Sequence, residues 1–315
     1  MRNSLPALDR RAFLAAGIAA MTAGGASAAA QPFFQRHKLP IGIQLYTLGP
    51  DAAKDLDGTL KAVAGMGYKT VELAGLLGRT GAQMRTALDG AGLTCTSAHV
   101  QGRGQLDGDL AKLAADLVAI GVKTAVMPSP YIPSRLEQRP ASGEGIGDWF
   151  RRVLGQMTAD DWKMNADFLT EKAKVLAASG LKVGYHNHNF EFAPVGSTTG
   201  LEIMLANTDP KLVTFELDVG WVAAAGVDPA AFMAKHKGRF TMMHVKDIKA
   251  DTKPNFALQM DPTEIGSGKL PWKTLLPAAY AAGVREFYVE QEPPFARPRI
   301  EAAKISYDYL AGVTA

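Results

Sequence analysis

Cysteine is almost missing from this chain: Cys95 is the single one among 315 residues. No intrachain disulfide can form, and paired-cysteine zinc or redox motifs are excluded. Cys95 falls inside a predicted strand, where a buried thiol behaves as a small apolar side chain. An excess of charge of one sign is missing too. The net charge is +3 with 21% charged residues, and no basic patch argues for nucleic acid as a partner. Long apolar runs are also lacking. The best candidate, residues 12–28, is short for a bilayer and rich in glycine and alanine, so no membrane span is expected in the mature form.

What is present begins with an address. Asp9-Arg-Arg-Ala-Phe-Leu14 has the form of a twin-arginine export signal. Ala26-Ser-Ala28 has the form of a small-residue cleavage site. The expectation is a periplasmic protein with a signal peptide over 1–28, a lead segment over 29–40, and one domain over 41–312. With 47% hydrophobic residues the chain can fill one sizeable core.

Along that domain, strand and helix patterns alternate. Strands are predicted at 41–46, 70–73, 94–99, 123–127, 183–188, 214–218, 240–246 and 286–290. Helical spacing separates them, and glycine closes most helices just before the next strand, as helix C-termini prefer. Residues 128–157 read as an irregular insertion and a possible lid over 129–157. Strands alternating with helices imply a parallel sheet. Eight such units imply a single-domain α/β fold, a closed (β/α)8 TIM barrel. A doubly wound open sheet would call for a glycine-rich phosphate turn after the first strand, and Tyr46-Thr-Leu-Gly-Pro50 is not one.

The C-terminal strand ends carry the chemistry. They read Gln44, Glu72, His99, His186 with His188, Asp218, His244 and Glu290. In strand six, Thr214, Glu216 and Asp218 alternate with Phe215 and Leu217. In strand eight, Tyr288, Glu290 and Glu292 alternate with Phe287 and Val289. The apolar set suits the helix layer and the polar set the barrel axis. Carboxylates converging on one mouth repel each other unless a cation joins them. Glu191, Asp218, His244 and Glu290 make an oxygen-rich set with one imidazole, suited to a single Mn, Mg, Co or Zn ion. A metal-free hydrogen-bonded network is the plain alternative.

Several motifs together resemble the xylose-isomerase-like sugar isomerase/epimerase superfamily. They are Tyr185-His-Asn-His-x-x-Glu-Phe192, Glu216-Leu-Asp-x-Gly-Trp221, Met243-His-Val-Lys-Asp247, Gly266-x-Gly-x-Leu-x-Trp272 and Tyr288-Val-Glu-Gln291. The resemblance implies a metal-dependent barrel acting on sugars or polyols, with Asp218, His244 and Glu290 at the family's ligand positions. It departs at strand five. There the family's usual ligand glutamate would fall near Tyr185 and His186, and the glutamate is displaced to Glu191. That resembles the branch containing inosose dehydratase.

The resulting expectation is a metal-dependent isomerase or epimerase working through an enediolate on a small sugar or sugar-derived ketone. Glu290, His186 or His188 would move the proton. Gln44, Glu72, His99, Trp221 and Lys246 would meet the substrate. The loop at 293–299 lacks the glycines of a barrel phosphate site, so the substrate is expected to be non-phosphorylated. The alternatives are a lyase or dehydratase on a keto-inositol or 3-keto-glycoside, and a periplasmic sugar-binding protein without turnover.

Overall fold

The computed structural model describes residues 31–315. The expected export signal lies outside the described residues. Eight parallel strands close into a barrel: β1 Gly42–Gln44, β2 Thr70–Leu73, β3 Thr94–His99, β4 Thr124–Met127, β5 Lys182–His186, β6 Val213–Asp218, β7 Phe240–Val245 and β8 Glu286–Val289. Each strand pairs with its sequence neighbours, and β1 pairs with both β2 and β8. Eight helices surround them: α1 Leu56–Met66, α2 Gly81–Ala91, α3 Leu110–Ile120, α4 Ala159–Leu176, α5 Gly200–Asn207, α6 Pro229–Lys235, α7 Trp272–Ala282 and α8 Arg299–Gly312.

Local chemistry sets these boundaries. Thr80 and Gln83 form a reciprocal capping box at the start of α2, and Thr158 and Asp161 do the same for α4. Gly67, Gly92 and Gly121 end α1, α2 and α3 in the left-handed conformation. Outward-facing residues pack on the helix layer. Phe287 meets Phe33 and Phe34 edge-on, at 6.0 and 5.4 Å between ring centres. Burying a ring of that size stabilises by about 1.5–3 kcal/mol.

Inside the barrel, Val126, Met242 and Tyr288 form a separate small apolar cluster. Gly42 makes room for it, since a Cβ there would lie 2.6 Å from the Tyr288 ring and 2.9 Å from the Phe287 carbonyl oxygen. Above this plug the interior turns polar, as the alternation in β6 and β8 required.

Two features of the loops differ from the expectation. The insertion contains a helix, Ile146–Leu154, with Trp149 and Val153 buried. Its flanking glycines and prolines masked the helical spacing. The segment after β7 is ordered around one carboxylate. Asp247 accepts the backbone N–H groups of Ile248, Gly266, Gly268 and Leu270 at 3.0–3.2 Å, and the Trp272 indole N–H at 2.8 Å. A Cβ on Gly268 would lie 2.2 Å from Asp247 Oδ1, so only glycine lets the backbone come this close. This accounts for the Gly-x-Gly-x-Leu-x-Trp spacing.

Candidate metal and active site

The strand ends meet in a cavity of about 410 Å3 at the barrel mouth. His99, His186, His188, Glu290 and Glu292 line it, with Tyr46, Phe150, Phe190 and Leu258 as aromatic and apolar walls. Among the described residues, no lysine or arginine lines this cavity. Phe150 comes from the insertion, and the neighbouring Arg151 Nε donates to the Ala257 carbonyl 3.4 Å away. The insertion thus roofs part of the mouth and touches the loop beyond β7.

At the floor, His186, Asp218, His244 and Glu290 each offer a ligand atom within 4.8 Å of the others. All four are buried. Asp218 sits at the end of β6 and caps the short helix Val219–Ala224: Oδ1 accepts the Trp221 N–H at 2.9 Å. That leaves Oδ2, which is buried with no hydrogen-bond donor aligned to it. The Lys246 ammonium lies 2.7 Å from Oδ2 and 2.8 Å from Glu290 Oε2, a charge contact that leaves Oδ2 outside hydrogen-bond alignment.

The imidazoles are oriented from behind. His244 turns Nδ1 to Glu290 at 2.8 Å and Asp218 at 3.7 Å, while Nε2 sits 2.6 Å from Glu72. His186 Nδ1 rests on Glu216 at 3.1 Å, and His99 Nε2 on the same carboxylate at 3.0 Å. A carboxylate holding the far nitrogen of a histidine is how metal-ligating imidazoles are fixed in tautomer and direction. The donor set and these supports fit a divalent cation, which would share Asp218 Oδ2 and Glu290 Oε2 with the Lys246 ammonium.

The charges fit as well. Burial opposes protonation of His244, but Glu216 and Glu290 outweigh it and raise its pKa well above the ordinary value. In the absence of a metal, a proton therefore balances these carboxylates. For His186, burial and the nearby His244 win, and its pKa falls to about 4. For Glu216, burial favours the neutral acid, but His244, His186 and His99 hold it well below the usual carboxylate range.

One expected ligand stands elsewhere. Among the described residues a second group of convergent ligand atoms, His99, His186, Glu216 and His244, overlaps the first, and Glu191 belongs to neither. After β5 the chain enters a short helical turn at Phe190–Phe192. The Glu191 carboxylate then accepts the Tyr185 hydroxyl at 2.8 Å and the His188 N–H at 2.9 Å. Tyr185 alternates with the inward-facing His186, so this pairing belongs to the outer side of β5. Burial pushes the Glu191 pKa up to about 8. His186 takes the place in the cluster that the sequence reading allotted to Glu191, and this corrects that reading.

The other expected residues divide in two. His99, His188 and Glu290 face the cavity, while Gln44, Glu72 and Lys246 lie buried beneath it. Gln44 donates to Glu72 at 2.7 Å, and Ser97 donates to Glu72 as well. Trp221 is buried, with its ring centre 5.4 Å from that of His188 and its indole N–H on Glu292 at 3.1 Å. His188 stacks on Phe190 at 5.4 Å, and its Nδ1 has no partner. Burial, with His186 and Lys246 nearby, holds its pKa well below the ordinary value. Two residues of the site were not singled out from sequence, Glu216 and Glu292. Both were legible only as members of the inward-facing alternation in β6 and β8.

A family model described as the xylose isomerase-like TIM barrel matches residues 60–311. The chain belongs to the xylose isomerase-like TIM barrel family. Among curated relatives of this barrel, an inosose dehydratase from Geobacillus thermodenitrificans is 27% identical over 154 residues, 45% of this chain and 51% of that one. Another, from Lactiplantibacillus plantarum, is 29% identical over 166 residues, 49% of this chain and 54% of that one. The matched stretch spans about half the length of these relatives. Among solved structures, a sugar phosphate isomerase/epimerase from Parabacteroides distasonis superposes with a TM-score of 0.69 at 24% identity, covering 87% of this chain and 94% of that one. The IolI protein with a bound zinc atom superposes with a TM-score of 0.61 at 14% identity, covering 87% and 98%. A 3-keto-D-glucoside 4-epimerase from E. coli does so at 0.59 and 16%, covering 86% and 98%. The structural likenesses establish the shared fold.

Proposed function

We propose that this xylose isomerase-like barrel is a divalent-metal-dependent isomerase or epimerase that moves a proton at the carbon beside a carbonyl. Its substrate is a non-phosphorylated sugar or a polyol-derived ketone. The observation that carries this reading is the convergence of His186, Asp218, His244 and Glu290 within 4.8 Å at the floor of the cavity. These four would hold the ion; the zinc atom in the similar IolI structure supports the same reading. A divalent ion bound there supplies Lewis acidity toward substrate hydroxyl and carbonyl oxygens.

The chain's own residues do the rest. His188 lines the cavity, and burial with His186 and Lys246 nearby holds its pKa well below the ordinary value, so the ring is uncharged there, as a general base requires. His99 has its pKa raised, because Glu72 and Glu216 outweigh the opposing effect of burial, so it can donate a proton or a hydrogen bond. Tyr46, Phe150 and Phe190 exclude water from the sugar's apolar face. A cavity lined by two carboxylates and by neither lysine nor arginine favours an uncharged substrate over a sugar phosphate.

A second reading, a lyase or dehydratase on a keto-inositol or 3-keto-glycoside, draws on Glu292. Burial raises the pKa of this carboxyl despite Lys246, and it lines the cavity with His188. A carboxyl that holds its proton more readily than usual is suited to assist a leaving hydroxyl. The inosose dehydratase names of the relatives point the same way. Product analysis by NMR in D2O separates the readings, using metal-loaded protein with sugars, inososes and keto-glycosides. An isomerase or epimerase introduces deuterium without loss of mass, and a lyase releases an unsaturated ketone. Binding of these compounds with neither exchange nor product would instead indicate a binding protein.

We also propose export by the twin-arginine route, supported by Arg10-Arg11 and Ala26-Ser-Ala28. Changing both arginines to lysine should keep the mature form out of the periplasm. Normal periplasmic levels of that variant would rule the route out.

A further inference from the structure

A second cavity, of about 560 Å3, opens beside the first and shares Leu258 and Glu292 with it as walls. Trp221 lines the outer cavity, and the loop beyond β7 supplies Asp251, Thr252, Asn255 and Gln259. Three observations mark this as a built site. Thr252 is 5% exposed, and its hydroxyl is buried without a partner. An unsatisfied hydroxyl is costly to bury unless something completes it. Leu258 has φ +54°, a left-handed backbone that a leucine avoids. It is held there because its N–H donates to Asn189 Oδ1 at 3.1 Å. Asn189 Nδ2 in turn donates to the Asn255 backbone carbonyl at 3.0 Å and to Asn255 Oδ1 at 2.9 Å. Backbone strain kept by such bracing concentrates at ligand-binding positions. The lining combines amide, hydroxyl and carboxylate groups with an aromatic residue, which suits a polyhydroxylated ligand.

We propose that the enzyme acts on a substrate of two units joined by a glycosidic link. The reacting keto-sugar occupies the inner cavity. A second sugar or polyol unit occupies the outer one, and the link passes between Leu258 and Glu292. This rests on the carbohydrate reading above and goes beyond it: a single-ring sugar or inosose would leave the outer cavity empty.

Calorimetric titration and saturation-transfer NMR test the proposal. The ligands are disaccharides of gluco, galacto and manno configuration, each beside the matching methyl glycoside and its ring-oxidised keto form. The best two-unit ligand should bind about tenfold or more tightly than its one-unit partner. Thr252→Val keeps the side chain's shape, and Gln259→Ala alters an exposed residue. Each should cut the affinity ratio of two-unit to one-unit ligand roughly three- to tenfold, the worth of one hydrogen bond. Equal affinities in the wild type, or ratios unmoved in both variants, would overturn the outer subsite while leaving the carbohydrate reading intact. Failure of every carbohydrate to bind would overturn both.

Discussion

Two buried carboxylates behind the imidazoles bear on how well this site would hold an ion. Glu72 fixes His244, and Glu216 fixes His186. Replacing either with glutamine exchanges a charged acceptor for a weaker neutral one. Metal affinity should then fall roughly 10- to 100-fold, as supporting partners of ligands usually allow. Isothermal titration with Mn2+ or Zn2+ measures it directly. His188 makes the opposite case. It lines the cavity, and it belongs to neither convergent group of ligand atoms among the described residues. His188→Asn should therefore keep its metal and lose about 10²–10⁴-fold in turnover, the share of a positioned acid or base. Loss of the metal would mark His188 as a ligand or its support, and full activity would mark it as structural. From sequence, the two histidines were legible as a pair but not as partners with different tasks. Their division depends on Glu216, which only the barrel's closure brings under His186.

At the scale of the element, the exit of β5 is where sequence and structure part. Spacing placed Glu191 just beyond a strand end, among ligands. The turn at Phe190–Phe192 sends it to Tyr185 instead. Spacing along a strand fixes which face a residue takes, but not where the chain goes after the strand ends. The displaced carboxyl leaves a signature. Its folded pKa is about 8 against an ordinary 4.5, so between these values the folded state binds more protons than the unfolded one. Stability should therefore fall as pH rises across that window. Glu191→Gln should flatten this component of a denaturant-midpoint profile recorded from pH 5 to 8. An unchanged profile would show that Glu191 does not titrate there. Strand β1 offers a plainer test of packing. Gly42→Ala should cost about 1–3 kcal/mol, because a Cβ there meets backbone and a ring that fills the barrel.

For the whole molecule, eight alternating units and their glycine stops made the closed barrel legible in the sequence alone. Most of the mouth was legible too, because a barrel brings its strand ends together whatever the loops do. The roof was not: Phe150 and Leu258 reach the cavity from segments without strand periodicity. A barrel whose mouth gathers this many buried carboxylates should also be steadied as a unit by the ion proposed for it. Its thermal midpoint should rise with metal concentration, by roughly 2.7 kcal/mol of added stability at a hundredfold excess over Kd. A midpoint indifferent to metal would mean that no ion binds the folded form.

The knot at Asp247 carries a consequence for wear. One carboxylate gathers four backbone N–H groups and an indole from a stretch running to Trp272. The chain between, which borders the outer cavity, has little regular structure of its own. With the carboxylate in place, a protease meets a surface it cannot thread into its cleft. Asp247→Asn would set amide hydrogens against hydrogens, and the loop should peel away while the barrel stays closed. Limited trypsin digestion should then nick at Lys249 or Lys269 well before any other bond yields, turning a single side chain into the difference between a durable enzyme and a clipped one.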